Sequence, residues 1–271
     1  MLSRCRREQV AQHDHGRHAV TLAKTGDSPN GRVVLAAHAK LTLCLRVVGV
    51  RADGYHLIDA DMATLALHDT VTIDPAGHGV QIGGPFADGV PANNDNLVAR
   101  ALRLAGRSAG ITIDKQIPSG GGLGGGSADA AAVLRWAGYT DLVGASRLGA
   151  DIPFCIVGGR ARVSGIGEVV EPRSSEAFTV TLVIPPLKVA TPAVYSAWDS
   201  LSPAAQHGEL NDLEAAALVV EPQLARWRDR IREAAGVSPT LAGSGATWFV
   251  LGHHDIVDAL PDATVITTTN G

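Results

Sequence analysis

Six glycines fall within Gly120-Gly-Gly-Leu-Gly-Gly-Gly-Ser127. Backbone without Cβ atoms approaches a ligand closely and adopts positive φ without strain. Ile111 and Ile113 ahead of the run alternate with polar residues and predict a strand that ends at Pro118-Ser119. The Ala-rich stretch behind it predicts a helix from Ser127 to Trp136, with Ser127 as N-cap and Gly138 past its end. The free first-turn N–H groups and the positive end of the helix dipole then face an anion. Strand, glycines and helix N-terminus together form a phosphate cradle. The Walker A motif is excluded, because no lysine precedes Ser127. Gly120-x-Gly122-x-x-Gly125, with Asp141 downstream, matches a dinucleotide fingerprint. That match is weak: the glycine run satisfies it in several registers, and such loops belong to the first βαβ unit of a domain. A flexible linker would not lie between a strand and a capped apolar helix.

Phosphoryl transfer to an alcohol needs a phosphate clamp, a cation for developing charge and a group that orients or deprotonates the hydroxyl. Lys40 lies on the polar side of a strand whose other face carries Leu41 and Leu43, and Asp151 lies in Gly149-Ala-Asp-Ile-Pro-Phe154, where Pro153 stiffens the backbone. A carboxylate held near a lysine stays ionised and can accept a proton while the ammonium stabilises the reacting oxygen. Taken singly, each is more often a structural charge than a catalyst. In Asp53-Gly-Tyr-His56 an aromatic ring and an imidazole sit beside a turn, a combination suited to a nucleobase or sugar, although a lone Tyr55 is more often a packing residue. Leu241-Ala-Gly-Ser-Gly-Ala246 is a second glycine loop that fits a tight turn and a ligand loop equally well.

The elements that must position these residues follow from periodicity. Leu41, Leu43, Leu45 and Val47 alternate with Lys40, Thr42, Cys44 and Arg46 as in a half-buried strand, which Arg51–Gly54 turns back. Strands are also expected around Val71 and Ile73, over 178–184, at Trp248–Leu251 and over 263–268. Asn93-Asn94-Asp95 can cap a helix bearing Leu97, Val98, Ala101 and Leu102, and further helices are expected over 209–220 and 222–235. Glu171–Ser175 is a polar break. Strands and helices mix without strict alternation, which argues for an α+β fold in two domains. Residues 1–31 are polar and unpatterned and read as a disordered extension; His13, Asp14, His15 and His18 within it have no further metal ligand nearby.

Apolar residues make up 45% of the 271 residues and charged residues 18%, an ordinary globular composition. The net charge of −4 offers no basic field for nucleic acid. No apolar run approaches the ~20 residues that span a bilayer. The cysteines lack C-x-x-C spacing, and a reducing, cytoplasmic setting is expected.

Ala39-Lys-Leu41, Arg51-Ala-Asp-Gly-Tyr-His56, Asn94-Asp-Asn-Leu97, Ile117 to Asp129, Gly149 to Phe154 and Leu241 to Gly245, in this order, resemble the motifs of the GHMP kinase superfamily. The resemblance is to its branch that acts on 4-diphosphocytidyl-2-C-methyl-D-erythritol, and it covers roughly Val33 to Leu251. It implies a GHMP kinase-like fold: an N-terminal α/β, ATP-binding domain over 32–172, a C-terminal α+β domain over 173–271, and an active site between them. It implies ATP as co-substrate, magnesium with it, and phosphorylation of the acceptor's 2-hydroxyl in non-mevalonate isoprenoid precursor synthesis. Lys40 and Asp151 would be the catalytic pair, with Asp151 as base. Pro118, Ser119, Gly120, Gly121, Gly122, Leu123, Gly124, Gly125, Gly126, Ser127, Ala128 and Asp129 would hold the ATP phosphates, with Asn96 and Lys115 towards the adenosine. Tyr55 and Tyr195 would sandwich the cytosine, His56 would bond it, and Thr42 and Thr191 would line the same pocket. Thr42 stands where the family usually has asparagine, and the stretch 138–150 is shorter than usual.

Overall fold

Two antiparallel hairpin systems organise the chain, and the sequence changes from one to the other after Arg173. The computed structural model describes residues 25–27 and 31–271. In chain order the elements are β1 (Thr25–Asp27), β2 (Val33–Val50), β3 (His56–Asp74), β4 (Val80–Gly83), α1 (Leu97–Leu104), β5 (Gly110–Asp114), α2 (Gly125–Trp136), α3 (Leu142–Leu148), α4 (Ile152–Val157), β6 (Arg160–Gly165) and β7 (Val169–Arg173). After the break come β8 (Thr179–Ile184), α5 (Thr191–Asp199), α6 (Glu214–Val220), α7 (Gln223–Ala235), β9 (Thr240–Leu241), β10 (Trp248–Leu251) and β11 (Thr264–Thr269). Of the stretch read as an N-terminal extension, Thr25–Asp27 pairs with β2; the histidine cluster at 13–18 lies outside the described residues.

The first sheet runs β1-β2-β3-β5-β4, with β6 beside the first half of β3 and β7 outside β6. Its pairs are antiparallel except β4–β5. The strand ahead of the glycine run therefore lies antiparallel to its long neighbour, and Asp141 caps α3 by accepting from Gly144 N at 2.9 Å. Among the described residues, the parallel pair β4–β5 encloses α1 and not the glycine run, so the run is not the loop of a dinucleotide-binding βαβ unit. The second sheet, β11-β8-β10-β9, is wholly antiparallel.

The long hairpin β2–β3 departs from the half-buried expectation. Both faces of β2 are buried between Ala39 and Leu45, including Lys40, Thr42 and Cys44. The polar face is covered because two glycine loops, low enough to lie on it, close over Lys40 and Thr42. The β2–β3 register slips between His38 and Lys40 and again between Thr42 and Cys44; such bulges bend a strand and re-aim its side chains.

Packing divides into three apolar clusters. One lies between the first sheet and α1, α2 and α4, around Ile73, Ile113, Val133, Leu134 and Phe154. A second lies among α5, α6, α7 and the second sheet, around Trp198, Leu224, Trp227 and Trp248. The third joins the two sheets: Leu41, Leu43 and Leu65 meet Leu182, Ile184 and Phe249, with Ile117 and Leu123 from the glycine-loop region. Backbone bonds add to it, Gly271 N to Thr64 O at 3.0 Å and Leu45 N to Leu210 O at 2.8 Å. No helix among the described residues is long and apolar enough to cross a membrane.

Candidate active site

Lys40 is the floor of the site. Its backbone N–H donates to Leu123 O at 3.0 Å, which ties the glycine loop to β2. Its buried ammonium lies 3.4 Å from Asp151 Oδ2 and donates to Thr42 Oγ1 at 3.2 Å. Asp151 precedes α4, caps nothing with its side chain, and stays partly open to solvent. The hydroxyl of Thr42 is spent on holding the lysine.

The glycine loop works by close approach. The helix behind it begins at Gly125, two residues before the expected start, and its N-cap is Gly124 at φ 70°, ψ 22°. Ser127 is thus in the first turn rather than at the cap. A left-handed cap needs no Cβ, and a Cβ at Gly124 would stand 2.8 Å from Lys40 Cγ. The first-turn N–H groups of such a helix have no intrahelical acceptor. The second glycine loop packs against the first: Thr247 N donates to Gly121 O at 3.2 Å, and a Cβ on Gly122 would lie 2.6 Å from Ala242 O. The two loops therefore meet backbone to backbone beside Lys40.

Three residues expected to bind ATP make protein contacts around the glycine loop. Asn96 is the N-cap of α1: its Oδ1 accepts from Val98 N at 2.8 Å and its Nδ2 donates to Pro91 O at 2.6 Å. Lys115, fully buried, donates to Asp69 and, at 2.7 Å, to Asp129. Asp69 also accepts from Gln116 N at 2.5 Å and Ile117 N at 2.7 Å, so it clamps the backbone that leads into the glycine loop. Burial and the neighbouring Asp69 charge push the Asp129 carboxyl up to about 7, against the pull of Lys115. Burial works against the Lys115 ammonium, but Asp129 and Asp69 outweigh it and raise its pKa. A Cβ on Gly125 would meet Lys115 Nζ at 3.3 Å, so this triad lies directly beneath the loop.

A second wall comes from α5. The Tyr195 and His56 rings meet at a 34° tilt with centroids 4.6 Å apart, and Trp198 meets His56 edge-on at 5.6 Å. Burial, with the Asp151 charge nearby, pushes the Tyr195 phenol up to about 12. Thr191 bonds Ser244 of the second glycine loop, oxygen to oxygen, at 2.7 Å. Tyr55 is exposed, and the Arg51 guanidinium rather than Tyr195 covers its ring, 5.5 Å from the centroid. The fold thus gathers Lys40, Thr42, Asp151, the glycine loop, Thr191, Tyr195 and His56, and leaves Tyr55 at the rim.

Sequence reasoning passes over Asp69, Asn211 and Asp199. Asn211 donates to Leu241 O at 2.9 Å and Gly243 O at 2.7 Å, fixing the second glycine loop. Its only sequence signal is an Asn-Asp pair, which reads equally as a helix start; α6 begins three residues later, at Glu214.

Residues 96–159 match the family described as GHMP kinases N terminal domain. The 4-diphosphocytidyl-2-C-methyl-D-erythritol kinase of Paracoccus denitrificans (strain Pd 1222) is 42% identical over 234 residues, 80% of this chain and 85% of that one. The enzyme of the same name from Cereibacter sphaeroides (strain ATCC 17025 / ATH 2.4.3) is 37% identical over 243 residues, 79% of this chain and 87% of that one. A crystal structure of 4-(cytidine 5'-diphospho)-2C-methyl-D-erythritol kinase superposes with a TM-score of 0.70 at 31% identity, covering 88% of this chain and 99% of that one. With this fold, this cleft and these relatives, the chain belongs to the 4-diphosphocytidyl-2-C-methyl-D-erythritol kinase family of GHMP kinases.

Proposed function

We propose that the chain transfers the γ-phosphoryl group of ATP to the 2-hydroxyl of 4-diphosphocytidyl-2-C-methyl-D-erythritol, a step of non-mevalonate isoprenoid precursor synthesis. The observation that carries this reading is the Lys40–Asp151 pair, 3.4 Å apart, beside a helix N-terminus whose cap is a close-packed glycine. The acceptor oxygen attacks the γ-phosphorus, the bond to the β-phosphate oxygen breaks, ADP leaves, and the hydroxyl proton passes to Asp151. Lys40 offsets negative charge on the acceptor oxygen, and the backbone N–H groups at Gly125 to Ser127 hold phosphate oxygens. The bond that the ammonium donates to Thr42 Oγ1 keeps it beside Asp151.

His56 and Tyr195 offer a hydrogen-bonding edge and an aromatic face for the cytosine, and Tyr55 at the rim would have to turn from Arg51 to cover the other face. The names of the relatives support this acceptor. Asn96, Lys115 and Asp129 brace the ATP loop, with Asn96 capping α1 and Lys115 donating to Asp129 Oδ2, while Asp129 Oδ1 has no hydrogen-bond partner among the described residues. Magnesium would reach the site on the ATP phosphates. Such ions keep several waters and take one or two carboxylates rather than a protein cage, and no group of three His, Cys, Asp or Glu side chains among the described residues could hold one alone. The change of sheets after Arg173 supports an ATP-binding part over 32–172 and a second part over 173–271.

A coupled assay of ADP release with ATP, magnesium and the cytidyl acceptor tests the reading. Acceptor-dependent ADP is expected. ATP binding without it would indicate a nucleotide-binding protein without turnover, and ADP release with only a different alcohol would indicate another GHMP-type kinase.

A further inference from the structure

Asp199 has no place in the mechanism above, yet it closes the inner wall of the cleft. It is the last residue of α5, where a carboxylate opposes the negative end of the helix dipole. Its side chain is half exposed and could point into water. Instead Oδ1 accepts from His56 Nε2 at 2.7 Å. An ionised carboxylate has no proton to give, so the bond requires the hydrogen on Nε2. Tyr195 and Trp198 hold the same imidazole on a face and an edge, and only about a tenth of its side chain remains exposed. The ring is fixed in position and in proton placement, and Nδ1 is the nitrogen left without a protein partner among the described residues.

We propose that Asp199 is a positioning residue that locks His56 with its proton on Nε2, and so makes Nδ1 the atom that reads the nucleobase. This rests on the reading of the cleft as the cytidyl subsite. In its neutral form the locked ring presents a hydrogen-bond acceptor. Cytosine offers the matching donor in its exocyclic amine, whereas uracil carries a carbonyl oxygen at that position. Asp199 thereby contributes to the choice between cytidyl and uridyl substrates without touching either.

Two measurements test it. Nitrogen-15 shifts of the His56 ring in the ligand-free protein should report the Nε2–H form, and Asp199→Ala should raise the share of the Nδ1–H form. In steady-state assays, Asp199→Ala should raise KM for the cytidyl substrate about tenfold and cut the preference over the uridyl analogue by a similar factor. Its kcat and KM for ATP should stay within about twofold, because binding of the base is weakened equally in the ground and transition states. Asp199→Asn, whose amide oxygen still accepts from Nε2–H, should restore most of the preference. Ring nitrogens that do not respond to Asp199→Ala would overturn the lock, and a tautomer shift with unchanged KM and preference would overturn its role in reading the base. Wild-type protein with no cytidyl turnover would instead sink the functional reading, and the nitrogen shifts would still decide the lock.

Discussion

Two acidic side chains in this molecule have opposite tasks, set by what surrounds them. Asp151, the proposed base, is partly open to solvent, 3.4 Å from Lys40, and its side chain makes no helix-cap bond. Asp151→Asn keeps the shape and removes the base. Turnover should fall by at least about a hundredfold with ATP affinity nearly unchanged, as read by single-turnover kinetics and calorimetric titration; surviving turnover would assign the base elsewhere. Asp129 is sealed beneath the loop with Lys115 and Asp69, and its carboxyl is pushed from the ordinary 3.8 up to about 7. Between those values the folded protein holds a proton that the unfolded chain has released. The Asp129 contribution to stability is therefore complete below about pH 4 and is lost as pH rises through about 7. Asp129→Asn abolishes this linkage. The difference in urea midpoint between wild type and variant should shrink as pH rises from about 5 to about 7.5. A difference that does not change with pH would mean that Asp129 does not hold this proton.

At the scale of elements, the site depends on two loops that can touch only because they lack side chains. Gly120 and Gly122 have nearly the same backbone angle, φ 74° and 77°, but a Cβ at Gly120 meets open space while one at Gly122 would meet Ala242 O at 2.6 Å and Gly245 O at 3.0 Å. Each alanine substitution therefore carries the same left-handed strain, about 1–2 kcal/mol, and the difference between them isolates the contact. Gly120→Ala should lose stability by roughly that strain and keep substantial activity. Gly122→Ala should push the loops apart and lose most ATP affinity, measured by fluorescence titration and thermal unfolding. Equal effects would mean that loop–loop contact does not shape the phosphate site. The alternation around Lys40 made the strand legible in advance, but not that both its faces would be covered. Periodicity reports which residues avoid water, and Lys40 and Thr42 are shielded by backbone from sequence positions 80 and 200 residues away.

For the whole molecule, the cluster between the sheets couples both halves. Leu182 is fully buried there, with Leu41, Leu65 and Leu123 from the first half. Leu182→Ala should cost about 2–5 kcal/mol and should shift a single unfolding transition rather than split it. Three of the tryptophans, Trp198, Trp227 and Trp248, lie in the second cluster, so fluorescence weights that half while far-ultraviolet circular dichroism sees both. Coincident transitions are expected. A fluorescence transition that separates from the dichroism curve would mean that the halves unfold independently despite the shared core.

Much of this protein is determined locally and can be read from the chain alone. The glycine run between strand and helix, the β2 alternation, the turn at Arg51–Gly54 and the Gly236 stop of α7 all follow from φ preferences and from burial period, which act over a few residues. The same local rules placed the start of α2 at Ser127, because a capping hydroxyl is the commoner signal; the left-handed glycine cap at Gly124 prevailed because Lys40 leaves no room for a Cβ there. Tertiary structure alone decided which polar residues meet across the chain. Lys40 and Asp151 are brought within ion-pair distance across 111 positions, whereas Lys115, Asp129 and Asn96 are consumed by partners that local spacing does not announce. A side chain's role depends on what its polar atoms meet, and in this fold those meetings are set by the packing of two sheets over one strand.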